Sequence, residues 1–174
     1  MSEQTYMKLQ DKVTRPKFDV NKIDVNHKRF KWMVDEYVRW CDDNDYKSAS
    51  RDEYESDIRK CFEEYDLDGY HLAEHLKEKV WVEPDADLVD ILNDAFYVKD
   101  AMMHEILIQW VKENFLVIPD DVIGKKVNCK DGYHKYENHY ITGIKPETYQ
   151  VTIATDNTRK GGYVVGFETL TFID

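Results

Sequence analysis
The hydrophobic spacing of this chain changes once, at Ile118-Pro119-Asp120, and that change limits the fold more than any other feature. Before it, apolar residues recur at three- and four-residue steps, the period of a helix buried along one side. After it they alternate at about two, the period of a strand. Six of the chain's seven glycines lie beyond the change. A helical part followed by a strand part is expected, so the fold class is α+β. The organisation follows: a loosely held arm over 1–24, a helical domain over 25–118 and a small β-domain over 119–174. Pro16 biases Arg15 away from helix, with Phe18 and Val20 as the arm's candidate anchors.

Four to five helices are predicted. The first runs from about Asn26 to Cys41, with Phe30, Met33, Val34, Tyr37, Val38 and Cys41 on its apolar stripe, and ends in Asp42-Asp43-Asn44-Asp45. The second starts near Ser50, which forms a capping box with Glu53 three residues on. Tyr54, Ile58, Cys61, Phe62 and Tyr65 mark its buried side. Gly69 suits the left-handed position after that helix. A third helix covers about Tyr70 to Val80. Asp85 is placed to cap the next, where Leu88, Ile91, Leu92, Ala95 and Phe96 keep the helical period. Met102, Ile106, Leu107, Trp110, Val111 and Phe115 resume it. The stretch from Asp87 to Phe115 holds neither Gly nor Pro, so one long helix and a kinked pair both fit.

Beyond Pro119, five strands are expected: Lys126 to Lys130, His139 to Ile144, Tyr149 to Thr155, Gly162 to Phe167 and Leu170 to Ile173. Asp131-Gly132, Lys145-Pro146 and the stretch from Asp156 to Gly162 supply the turns. Five short strands in so short a stretch suit a closed sheet, which has no exposed edge. By strand count and loop rhythm, residues 120–174 resemble an SH3-like barrel, with a long first loop from Asp131 to Asn138 and a short turn at Glu168-Thr169. That resemblance implies a contact module whose candidate residues are Tyr133, Tyr136, Tyr140 and Arg159.

Charge is distributed as unevenly as period. Residues 1–40 hold nine Lys/Arg and six Asp/Glu, residues 41–118 hold eight and twenty-one, and residues 119–174 hold seven and eight. The central block therefore carries −13, and with +3 before it and a further −1 after it the total is −11. Hydrophobic residues make up 42% of the chain and aromatics 13%, enough for a true core. An acidic surface repels free nucleic acid and attracts basic protein surfaces. The odd count of three widely spaced cysteines, Cys41, Cys61 and Cys129, argues against a disulfide framework and for a reducing cytoplasm. The start of the chain has no apolar signal core, and no window is apolar enough to span a membrane.

Motifs of catalysis are missing: there is no Gly-x-Ser-x-Gly, P-loop, Gly-x-Gly-x-x-Gly or Cys-x-x-Cys. Glu64-x-Asp66-x-Asp68-Gly69 partly matches a calcium loop, but the twelfth position holds His75 where a bidentate Glu is required. His71 and His75 share a helical face without further metal ligands in the pattern. Cys129, His134 and His139 lack the paired spacing of a zinc site. Thr158 to Gly162 could touch phosphate through Arg159 and Lys160, although glycine there suits a hairpin. No cofactor or metal is expected, and no enzyme activity.

The expected function is binding without catalysis. Carboxylates from separate helices, namely Asp52, Glu53, Asp57, Glu63, Glu64, Asp66, Asp68, Asp85 and Asp87, would form one anionic face. That face would block a basic, nucleic-acid-binding surface on a host protein. In brevity, acidity and richness in Tyr and Asp the chain resembles phage-encoded anti-restriction and anti-CRISPR inhibitors. A single helix is insufficient: Ser50 to Tyr65 would span about 24 Å, where duplex DNA carries about 14 charges, against six carboxylates and three cations here. Several segments must converge. The alternative is an adaptor or assembly protein that makes contact through the barrel, with the helical part as a docking or homodimerisation platform. Direct nucleic-acid binding is disfavoured by the net charge.

Overall fold
The computed structural model describes residues 14–46, 50–63, 68–80, 82–131, 134–157 and 161–173. Five α-helices come first: α1 (Lys28–Asp43), α2 (Arg51–Glu63), α3 (Gly69–Val80), α4 (Ala86–Asn93) and α5 (Ala95–Glu113). Five strands follow: β1 (Lys126–Asp131), β2 (His134–Lys145), β3 (Gln150–Ala154), β4 (Tyr163–Gly166) and β5 (Leu170–Phe172). The chain is α+β in the expected order. Backbone contacts divide it into two compact units, Lys17–Met103 and a second made of the described residues of 1–16 and 104–174.

The helical unit is built on the expected stripes, with informative exceptions. α1 buries Phe30, Met33, Val34, Tyr37 and Cys41, but also Trp40, whose indole N–H donates to the Asp85 carboxylate at 2.8 Å. That acceptor is what lets a polar-edged ring enter the core. α2 buries Tyr54, Ile58, Cys61 and Phe62. Each fully buried side chain of this size contributes about 1.5–3 kcal/mol. Gly69 is not a left-handed cap. It opens α3, its N–H donates to Asn93 Oδ1 at 3.0 Å, and any Cβ there would run into the Val89 carbonyl oxygen and the Asn93 side chain. Close approach of α3 to α4 is the reason for the glycine.

The stretch from Asp87 to Phe115 is two helices, broken at Asp94. The buried face nevertheless runs on through the break as Leu88, Leu92, Ala95, Val98 and Met102. Phe96 and Ile106, expected on the buried stripe, are exposed, while Met102, Leu107, Trp110 and Val111 are buried. The described part of the arm makes specific contacts, including one through the expected anchor Phe18. Phe18 packs edge-on against Phe62 at 6.2 Å, and Arg59 donates to the carbonyls of Val20 and Ile23. The Arg15 guanidinium pairs with Glu168, donates to the Tyr149 carbonyl at 2.8 Å and lies over the Trp110 ring at 5.3 Å.

The strands form one antiparallel sheet in the order β4-β3-β2-β1-β5. It is not closed into the expected barrel: β4 and β5 are edges, and no ladder joins them. Their shortness, four and three residues, limits the edge each offers. The expected long first loop is also absent, because β1 ends at Asp131 and β2 begins at His134, with a register shift in β1–β2 pairing between Val127 and Cys129. Val127, Ile141, Val151, Ile153, Val165 and Phe167 form the buried side of the sheet. Among the described residues no helix is long and apolar enough to cross a membrane.

Candidate functional site
The carboxylates expected on one acidic face divide by what they do for the helices. Glu64 and Asp66 lie outside the described residues. Asp57 leaves the face: it is 9% exposed and accepts from Lys60 Nζ at 2.8 Å. Asp85 is a helix cap, accepting the Leu88 N–H at 2.9 Å as well as the Trp40 indole. Asp68 accepts the backbone N–H groups of His71 at 3.4 Å and Tyr70 at 3.0 Å at the start of α3, which hold its carboxyl below the usual range. Glu53 accepts the Ser50 N–H at 2.6 Å, the reciprocal half of the expected capping box. Asp52 and Asp87 stand in the first turns of α2 and α4. Helix starts carry a partial positive charge, so part of the acid is placed where it stabilises helices.

What remains is solvent-facing. Asp52, Glu63 and Asp87 are exposed and make no ion pair among the described residues. Asp52 and Glu63 are eleven residues apart on α2, so they point the same way about 16 Å apart along its axis. Several cations of this unit are engaged locally. Lys31 pairs with Asp35 at 2.7 Å, Arg51 with Asp35 at 2.8 Å and Glu55 at 3.2 Å, Arg39 with Glu36 and Lys77 with Glu83. Lys31 and Arg51 together hold the Asp35 carboxyl below its usual range. Lys99 donates to the Phe62 carbonyl at 2.7 Å, and burial lowers its pKa.

The sheet carries a second cluster that sequence reasoning divided wrongly. Of the expected contact residues, Tyr133 and Arg159 lie outside the described residues, as does Lys160. Tyr136 and Tyr140, four apart on a regular strand, would share a face. A bulge prevents this. Val127 pairs with His139 and Cys129 with Tyr136, so β2 holds one residue more than β1 between the two pairs. Asn138 absorbs it at φ 56°, and its N–H donates to Asn128 Oδ1 at 2.9 Å. Tyr136 and His139 therefore stand on one side of the sheet, and Tyr140 falls on the other.

Four rings meet on the first side. Tyr136 and Tyr163 have centroids 4.6 Å apart at 34°, His139 stands at 5.6 Å and 73° to Tyr136, and His134 stacks on Tyr136 at 6.1 Å and 26°. Tyr163 was not foreseen as a member, because it comes from β4, two strands away. Partial burial, Tyr163 and Asp131 push the Tyr136 hydroxyl above its usual pKa. His139 is 8% exposed, and its Nδ1 lies 2.9 Å from the Glu137 carbonyl. A carbonyl only accepts, so Nδ1 carries the proton.

The other polar motifs have structural employment. Cys129 Sγ lies 3.0 Å from Thr169 Oγ1, and all three cysteines are buried and unbridged. Burial pushes the Cys41 thiol up to about 11. His71 Nδ1 lies 3.3 Å from Asp68 Oδ1 at the start of α3. Among the described residues no group of three or more His, Cys, Asp or Glu is placed to hold a metal ion. Comparison of the chain with family models, with curated proteins and with solved structures finds no match.

Proposed function
We propose that this chain is a binding protein without catalytic chemistry, whose helical unit presses an acidic surface against a basic surface of another protein and so blocks nucleic acid from it. One observation carries the reading. Lys17–Met103 holds thirteen Lys/Arg and twenty-three Asp/Glu, a net of −10, while the remaining residues hold eleven and twelve, a net of −1. Local pairing occupies several of the cations, while Asp52, Glu63 and Asp87 stay exposed without an ion pair among the described residues. Charge of one sign on one unit speeds encounter with a surface of the opposite sign and excludes wrong partners.

The test uses the full chain and a variant in which Asp52, Glu63 and Asp87 become Lys. Proteins captured from a host lysate are identified at low and at moderate salt, with and without competing duplex DNA. Capture of basic proteins that falls with salt, with DNA and with the substitutions supports the reading. A captured set indifferent to all three sinks it.

A further inference from the structure
We propose that the ring cluster at the β1–β2 hairpin end of the sheet's buried side is a second binding site, and that it takes the guanidinium group of an arginine side chain presented by a partner protein. The inference stands on the strands alone and does not depend on the helical unit's charge. Tyr163 is 54% exposed on an edge strand, and its ring is held in place by Tyr136 at 4.6 Å and His139 at 6.2 Å. Large aromatic rings are normally covered, and a pair braced at an edge offers an electron-rich face to an incoming cation.

Three further features select the ligand. Asp131 pairs across the ladder with His134, and Cys129 with Tyr136, so alternation puts the Asp131 carboxylate on the same side as the rings. Asp131 makes no ion pair among the described residues. The residues between, Lys130 and Lys135, pair with each other and face the opposite side. His139 adds a third ring to the cluster, 6.2 Å from Tyr163. A planar guanidinium suits this site: it stacks on the tyrosine, donates to the carboxylate, and stays charged at every physiological pH. An ammonium stacks less well. A nucleobase would find the ring, but its phosphate would meet Asp131 and a chain of net charge −11.

The Asn138 bulge is what makes the site, since without it His139 and Tyr136 would face apart. The test titrates the full-length chain at 0.15 M salt with a short Arg-Gly repeat peptide, its Lys-Gly and citrulline-Gly counterparts, and a deca-thymidine oligonucleotide. Ring proton shifts of Tyr136, Tyr163 and His139 are read by NMR. The arginine peptide should shift all three; Tyr163→Ala should weaken it about tenfold, roughly the 1.4 kcal/mol of a desolvated stacked cation. Asp131→Asn should weaken it several-fold, and Tyr163→Phe should bind like the parent chain, which excludes loss of fold as the cause. The Asp52, Glu63 and Asp87 variant should leave these shifts intact, so this inference and the proposed function fail separately. Equal shifts from the citrulline peptide, unchanged binding by Tyr163→Ala, or stronger shifts from the oligonucleotide would each overturn it.

Discussion
Phe115 sits in the left-handed backbone region at φ 52° with 89% of its surface exposed. It closes α5 in a Schellman arrangement: the Leu116 N–H reaches the Val111 carbonyl at 3.1 Å, and its own N–H reaches that of Lys112 at 3.3 Å. A side chain in that conformation is strained, and glycine is not. Phe115→Gly should therefore stabilise the chain by about 1 kcal/mol, seen as a higher urea midpoint; a lower midpoint would mean that the ring makes unseen contacts. At Cys41 the sign of a pH effect is fixed by burial. The folded thiol titrates near 11, pushed up mainly by desolvation, and the unfolded thiol titrates about two units lower. Below pH 8 both states hold the proton and stability is flat. Between the two values the folded state holds more protons, so stability falls as pH rises. A loss on the order of 1–3 kcal/mol by pH 11 is expected. Cys41→Ala should reduce that slope without abolishing it, because burial raises Cys129 and Tyr149 in the same direction. An unreduced slope would exclude Cys41 as its source.

Between helices, one carboxylate joins two elements. Asp85 caps α4 through the Leu88 N–H and receives the buried Trp40 indole from α1. Asp85→Ala should remove a cap worth about 1 kcal/mol and strand an indole N–H at a further 1–3 kcal/mol. Asp85→Asn, which keeps an acceptor oxygen, should recover most of it in chemical denaturation. A loss below 0.5 kcal/mol, on the order of an ordinary surface change, would show that Trp40 finds another partner. Element type was legible because burial on one side writes a 3.6 or 2.0 period directly into the chain. Phase was not. The buried face runs through the break at Asp94 along Ala95, Val98 and Met102 and then moves to Leu107, Trp110 and Val111, which leaves Phe96 and Ile106 outside it, and no Gly or Pro marks the change. The bulge at Asn138 reverses which tyrosines share a face of β2. The one local hint was the asparagine, a residue that tolerates positive φ, and it reads equally well as a turn.

For the molecule as a whole, surplus charge of one sign opposes compaction. The helical unit's net −10 should make the chain more stable as salt rises from 0.01 to 0.15 M, as the Debye length shrinks from about 30 to 8 Å. Screening of the few ion pairs, worth at most about 1 kcal/mol each at the surface, acts the other way. A midpoint that falls with salt would show that Arg51 with Asp35 and Glu55, and the pairs like it, outweigh the repulsion. The sequence alone determined the α+β order, the approximate helices, most of the helical core and the segregation of charge, because each follows from residue type and spacing within one segment. Tertiary structure alone decided that the sheet stays open, that Gly69 serves close packing, that Asp57 is buried and Asp85 is tied to the Trp40 indole, and that Tyr163 reaches Tyr136 across two strands. Those outcomes depend on which residues far apart in the chain come within a few ångströms of one another, and a periodicity read along one segment holds no such distance.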